Sequence, residues 1–200
     1  KILTNMKQYI FLLIASVYYS FNVFSTEVNY KLSMTNPNSH YFEVEMDIND
    51  IEDDFVDIKM PVWAPGSYLI REFAKSVDLV KAKSADGKTL IAKKTDKNTW
   101  HIETKGAKSI KVNYEVYAFE LSVRTSFLDD SHGYVNGTSM FMYVAGQKYN
   151  KGNLKIVPHS SFKKISTSLE KSGENNFIYT DYDELVDSPI EIGNQKEFTF

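Results

Sequence analysis

From Val28 onward the apolar side chains recur at every second position, and this period of two constrains the fold more than any other feature of the chain. Val28, Tyr30, Leu32 and Met34 alternate with Asn29, Lys31 and Ser33. Phe42, Val44, Met46 and Ile48 alternate with Glu43, Glu45 and Asp47, and Val56, Ile58 and Met60 with Asp57 and Lys59. Successive side chains of a strand point to opposite faces, so each run reads as a strand with one buried and one wet face. Further strands are expected over 77–84, 88–94, 100–103, 110–118, 139–144, 154–157, 164–169, 177–180 and 197–200. Turn chemistry separates them: Asn36-Pro37-Asn38, Lys105-Gly106, Asn136-Gly137, and Asp86-Gly87, which reads as a two-residue hairpin between 77–84 and 88–94. Helix is confined to two turns over 67–75 and one over 181–185. The expected fold is all-β, a β-sandwich or open-barrel-like domain of about ten short strands with one or two short helices. Two packed sheets would turn Phe42, Val44, Met46, Val56, Ile58, Val112, Tyr114 and Val116 inward.

Composition agrees. With 42% hydrophobic and 24% charged residues the chain is globular rather than disordered. Thirteen Tyr and thirteen Phe against nine Gly suit half-buried pleated surfaces. The absence of cysteine excludes a disulfide scaffold, a thiolate zinc site and a cysteine nucleophile. A net charge of -3 argues against a nucleic-acid partner, which calls for a basic surface. The lysines at 81, 83, 93 and 94 read as solvated edge residues that discourage edge-to-edge pairing.

The first residues read differently. Met6-Lys7 opens a stretch in which Tyr9 to Tyr19 is apolar apart from Ser16. Eleven residues are too few to cross a bilayer, which takes roughly 20, and small residues follow, with Val23 and Ser25 placed for cleavage after Ser25. Residues 6–25 are therefore expected to be a signal peptide and 26–200 the mature domain, periplasmic or secreted, with no stable membrane anchor. Lys1 to Asn5 read as upstream of the true start, and the chain stops within an apparent strand, as if cut from a larger protein.

The residues that could carry chemistry are few. No helical H-E-x-x-H zinc pair exists among the four histidines. His101 and Glu103 match H-x-E, but with no cysteine a deaminase zinc site cannot be built, and alternation puts both on one solvated strand face. Asp129, Ser131 and His132 adjoin one another, whereas members of a catalytic triad face each other across space; beside Gly133 they read as turn chemistry. No glycine-rich phosphate loop and no G-x-S-x-G elbow occur. Two segments exceed plain turns. Residues 60–73, MPVWAPGSYLIREF, hold Pro61, Trp63, Pro65 and Gly66 ahead of Arg71 and Glu72. Residues 181–193, DYDELVDSPIEIG, hold Asp181, Asp183, Glu184, Asp187 and Glu191, carboxylates that repel unless they face solvent, a cation or a basic partner. Their spacing is not that of a calcium loop.

These two segments and LDDSHGYVNGTSMFMY (128–143), in this order, resemble the N-terminal domain of the glycyl aminopeptidase family of zinc metallopeptidases, peptidase family sixty-one, over about Val28 to Phe200. The family often carries Thr where Ala64 stands and other aromatics near Tyr134 and Val135. The resemblance implies a β-rich, non-catalytic N-terminal domain that precedes a thermolysin-like catalytic domain of the same polypeptide. Zinc and its H-E-x-x-H helix would belong to that catalytic domain, so no catalytic residue, metal ligand or cofactor is expected within this chain. The implied substrates are peptides with a free amino terminus. The substrate-binding candidates are Asp183, Glu184, Asp187 and Glu191, whose negative potential would favour a substrate ammonium. A free-standing exported β-sandwich that binds peptides or glycans is the alternative.

Overall fold

The computed structural model describes residues 26–64, 66–67 and 69–198; the expected signal peptide, 6–25, and the end of the expected last strand, 199–200, lie outside the described residues. Strands β1 (Glu27–Ser33), β2 (Tyr41–Asn49), β3 (Phe55–Lys59), β4 (Val77–Ser84), β5 (Thr89–Leu90) and β6 (Ala92–Asp96) come first. Next are β7 (Thr99–Glu103), β8 (Ile110–Tyr117), β9 (Phe127–Leu128), β10 (Gly133–Val135) and β11 (Tyr143–Val144). Then follow β12 (Gly152–Val157), β13 (Lys164–Ser166), β14 (Glu170–Gly173), β15 (Asn176–Tyr179), the helix α1 (Tyr182–Asp187) and β16 (Ile190–Gly193).

The all-β expectation holds, but the architecture differs from a two-sheet sandwich of ten strands. Sixteen strands among the described residues form three open sheets. One has eight strands in the order β14-β15-β12-β1-β2-β8-β4-β5, and two have four, β13-β16-β10-β9 and β11-β3-β7-β6. None closes into a barrel among the described residues. The alternating positions do what their period requires: all eight residues expected to point inward are buried, within one hydrophobic cluster that draws on all three sheets. Burial of these side chains drives the assembly, at roughly 1.5–3 kcal/mol for each large one.

Local departures have local causes. The Asp86-Gly87 hairpin has a three-residue loop, closed by Gly87 N–H to Ser84 O (2.8 Å) and Ser84 N–H to Lys88 O (2.9 Å), with the left-handed φ of 83° at Gly87. That is a type I turn with a following bulge residue. The two-residue turn with positive φ at both centres lies instead at Lys105-Gly106. The expected strand 88–94 divides at Ile91. Leu90 pairs with Ala82 in the large sheet and Ala92 with Ile102 in a small one, a change of partner that a period of two does not encode. Among the described residues, 67–75 form no α-helix; one 3-10 turn spans Phe73–Ser76, and others occur at Pro37–Ser39 and Gly137–Ser139. Residues 197–198 form no strand.

The largest departure is at 139–144, expected as a strand. Only Tyr143 and Val144 pair with a neighbour, while Met140, Phe141 and Met142 are fully buried with no sheet partner. A buried backbone must still satisfy its polar groups, and tyrosines do so here. Tyr114 Oη donates to Met140 O (3.1 Å), Tyr182 Oη to Phe141 O (2.6 Å) and Tyr30 Oη to Met142 O (2.5 Å). Met142 N–H donates to Tyr114 Oη (2.9 Å), and the N–H groups of Met140 and Phe141 donate to Gly137 O. Strands β1 and β8 and helix α1 are thereby tied to one irregular segment.

Two outcomes follow from these phenols. Tyr114→Phe strands a buried donor and a buried acceptor, so urea denaturation should show a loss of roughly 2–4 kcal/mol, while the exposed Tyr117→Phe stays within about 0.5 kcal/mol of the parent. Burial also pushes the Tyr30, Tyr114, Tyr179 and Tyr182 hydroxyls above their ordinary value of 10.0. The folded state then keeps protons that the unfolded chain gives up. Stability is fully present below about pH 10 and falls as pH rises beyond it, which a series of urea midpoints from about pH 8 to 11 will read.

Candidate functional site

The acidic segment folds around the start of α1. Asp181 caps the helix, its Oδ1 accepting from Glu184 N–H (2.8 Å), and Glu184 reaches back so that its Oε2 accepts from Thr180 N–H and Thr180 Oγ1, both at 2.6 Å. Asp181 thereby satisfies one donor that a helix start leaves open, and Glu184 ties the residue before the cap to the first turn. The Thr180 hydroxyl, then its N–H, holds the Glu184 carboxyl below its usual range. Glu184 is thus engaged in a cap and lines a cleft with Glu27, Glu170 and Tyr179. Asp183 and Asp187, four residues apart on one helix face, are exposed. Burial, then Asp183 and Asp181, raises the Asp187 carboxyl above its usual range. Glu191 stands on β16 opposite Tyr134 and Ser166, with His132 Nε2 3.9 Å from its Oε1. Burial raises its carboxyl, and His132 partly offsets this. Ser188 is extended before Pro189, as a residue preceding proline must be, and turns the chain from α1 into β16.

Asp187 opens onto a groove of about 430 Å³ where the three distinctive segments meet. Ala64, Gly66 and Ser67 come from 60–73; Tyr134 and Asn136 from 128–143; Asp187 and Pro189 from 181–193. Arg124, on the loop after β8, completes the wall. Backbone contact fixes this meeting. A Cβ on Gly137 would lie 2.5 Å from Val186 Cα and 3.0 Å from Val186 O, so only glycine lets the turn after Asn136 lie against α1. Asn136 caps that turn, accepting from Thr138 N–H (3.1 Å), and its Nδ2 donates to Val123 O (2.9 Å), bracing the loop that carries Arg124. The groove therefore sets a cation and a carboxylate into one wall and can orient a zwitterionic or peptide-like ligand. Of the four acidic candidates it contains Asp187; Asp183 lies one helical turn before Asp187, Glu191 pairs directly across the strands with Tyr134 of the lining, and Glu184 lines another cleft. Arg124 and Tyr134 were not among the candidates. The signal for Arg124 was rarity, as the chain has two arginines against 21 lysines.

The other candidates stay structural. Asp129 Oδ1 accepts from Ser131 Oγ (2.6 Å), Ser131 N–H (2.8 Å) and His132 N–H (3.2 Å), which closes a turn and lowers the Asp129 carboxyl. The single Ser131 proton goes to Asp129, so toward His132 Nδ1 (2.8 Å) the hydroxyl accepts, the reverse of what an activated nucleophile needs. His101 lies on the wet face of β7, 2.7 Å from Asp57 Oδ1 and stacked on Phe55. Among the described residues no three His, Asp or Glu side chains come together to hold a metal ion.

The family model described as the peptidase M61 N-terminal domain matches residues 29–194. The chain belongs to this family. A solved structure adds to the match: the crystal structure of an aminopeptidase N family protein from Idiomarina loihiensis superposes with a TM-score of 0.78 at 32% identity. The match covers 84% of this chain and 29% of that one, so the M61 domain here spans less than a third of the relative's length. No curated protein sequence matches significantly. The three segments that line the groove are those on which the family resemblance was read, and in the M61 domain they are turns and a helix rather than long strands.

Two variants probe the groove. Gly137→Ala must push its turn away from the α1 backbone, and thermal melting should show a loss of roughly 1–3 kcal/mol or more. Asp187→Asn should do the opposite. A carboxyl whose folded pKa is raised is a burden once ionised, so stability falls as pH rises through the unfolded and then the folded value. The melting temperature of Asp187→Asn should exceed the parent's at pH 7, and the two should coincide at about pH 3, where the unfolded carboxyl is already protonated.

Proposed function

We propose that this M61 domain is the non-catalytic N-terminal part of an exported zinc aminopeptidase, that it packs on the catalytic domain of the same polypeptide, and that its α1 edge helps form the wall that receives the substrate's amino terminus. The carrying observation is the groove at which the three distinctive segments converge, with Asp187 in its wall and Asp183 one helical turn before Asp187. Burial, then Asp183 and Asp181, raises the Asp187 carboxyl, and an incoming ammonium would offset the part that comes from repulsion. Family membership supports this reading over a free-standing peptide- or glycan-binding module. In the proposed enzyme zinc resides in the catalytic domain, the leader 6–25 is removed on export, and the mature protein starts near Thr26 in the periplasm or outside the cell.

Three measurements test this. Intact mass of the exported protein should show the start near Thr26; retention of Met6 to Ser25 overturns the export reading. The 200-residue chain by itself should release no glycine or alanine from dipeptides, with or without zinc. In the complete enzyme Asp183→Asn and Asp187→Asn should each raise KM for unblocked peptides by roughly fivefold, about 1 kcal/mol, with kcat nearly unchanged. Glu184 is a poor probe despite its charge, because Glu184→Gln weakens the helix cap. If both aspartate variants keep the parent KM, the α1 edge is scaffold.

A further inference from the structure

The two arginines of the chain lie on different loops, 53 positions apart, and both line one cavity of about 430 Å³ between the 3-10 turn at Phe73–Ser76 and the loop after β8. Among the described residues neither guanidinium has a carboxylate oxygen within ion-pairing distance, although lysines elsewhere do, such as Lys31 and Lys111 on Glu45. Arg71 Nε is in addition buried without a hydrogen-bond partner. An unsatisfied buried donor on a charged group costs well over a neutral one, and such a group in a native fold calls for an explanation. Glu72, the neighbour that might have paired with Arg71, points to Lys97 Nζ at 3.3 Å instead.

Both arginines are held from behind. Phe73 and Ala74 are buried and anchor the turn that follows Arg71, whose own N–H donates to Val62 O. The loop of Arg124 is cross-braced by Ser122 Oγ to Thr125 Oγ1 (2.7 Å), Thr125 Oγ1 to Glu120 O (2.6 Å) and Asn136 Nδ2 to Val123 O. The hydroxyls of Ser122 and Thr125 are thus spent on the loop, and the two guanidiniums face the cavity together with the Lys75 ammonium.

We propose that Arg71 and Arg124 form a binding site for a peptide carboxylate in this cavity. A planar guanidinium presents parallel N–H donors that match a carboxylate, a match a lysine cannot make. The lining holds three cations, Arg71, Arg124 and Lys75, against two carboxylates, Glu72 and Glu120. That slight positive excess favours a monoanion over a phosphate dianion. Phe119, half exposed at 50%, lines the same cavity and gives the chain attached to the carboxylate an apolar surface. The site goes beyond the proposed function, since it recognises the opposite charge; Arg124 lines both the groove and this cavity, whereas Arg71 lines this cavity and not the groove. The carboxylate has two sources, a free peptide C-terminus or an acidic side chain, and the test separates them.

The 200-residue chain is titrated with acetyl-diglycine, with its amide, and with acetyl-glutamyl amide, following backbone amide shifts. Saturable shifts centred on 71 and 122–126 are expected for the carboxylates and none for acetyl-diglycine amide. Arg71→Gln and Arg124→Gln should each weaken binding at least fivefold, with unchanged melting temperatures showing that the fold survives, while Lys81→Gln on the exposed face of β4 changes nothing. Binding of acetyl-diglycine alone assigns a free C-terminus; binding of both carboxylates assigns any peptide carboxylate, and binding of acetyl-glutamyl amide alone an acidic side chain. Absence of shifts for both, equal affinity in the double arginine variant, or tighter binding of inorganic phosphate than of either carboxylate overturns the proposal.

Discussion

Everything near the groove depends on how three buried residues outside any sheet, Met140, Phe141 and Met142, find partners for their backbone. Strands solve that problem through their ladders, and this segment cannot, because its neighbours are side chains and not a parallel backbone. Three phenols from three elements meet its carbonyls, and Gly137 O and Tyr114 Oη take its N–H groups. At about 1 kcal/mol net for each bond and more for each group left unpaired, removing one tyrosine unties a sheet from the segment it supports. The phenols answer to one another as well: Tyr30 packs on Phe141 and Tyr179, and Tyr179 Oη donates to Val28 O at the start of β1.

That tie decides where the groove lies. With 140–142 fixed, the turn Gly137–Ser139 is delivered against α1, and the missing side chain of Gly137 sets their separation. Helix α1 is then held from below by Tyr182 on Phe141 O and from its start by Asp181 and Glu184. What remains facing outward on the helix is the Asp183–Asp187 edge. The loop with Arg124 is fastened to the same turn through Asn136, so the cation and the carboxylates of the groove are placed by one rigid junction and not by independent loops.

A period of two made most of the fold legible, because one buried face leaves a strand a single choice of which residues point in. Val44, Met46, Ile58 and Val112 could be assigned to the core without any knowledge of partners. Pairing was not legible. Nothing in residues 28–34 announces that β1 lies parallel to β12, and nothing in 88–94 announces that the chain changes sheet at Ile91. Residues 139–144 misled for a related reason: an apolar run with high strand propensity is read as a strand unless one knows that distant hydroxyls will replace the ladder. The acidic segment was legible as chemistry and as one helical turn, but the capping role of Glu184 became visible only once Thr180 stood beside it. Arg124 offered rarity alone, and rarity carries no position.

The same contrast explains why the family resemblance rests on turns. An alternating strand tolerates many sequences, since any apolar residue of suitable size serves an inward position. Gly137, Asn136, Asp181, Glu184, Tyr182 and Ser188-Pro189 each meet a demand that one or two residue types can satisfy: a Cβ that must be absent, a cap, a phenol of the right reach, an extended residue before proline. Segments built from such demands read as motifs even where no chemistry occurs. Their convergence on a groove is therefore in part a record of packing, and the residues with a functional claim are those that no packing demand explains. Asp187 is one, an exposed carboxylate that opens onto the groove. Arg71 and Arg124 are the others, because a lysine would serve a solvated loop as well, and a buried Nε with no partner serves the fold not at all.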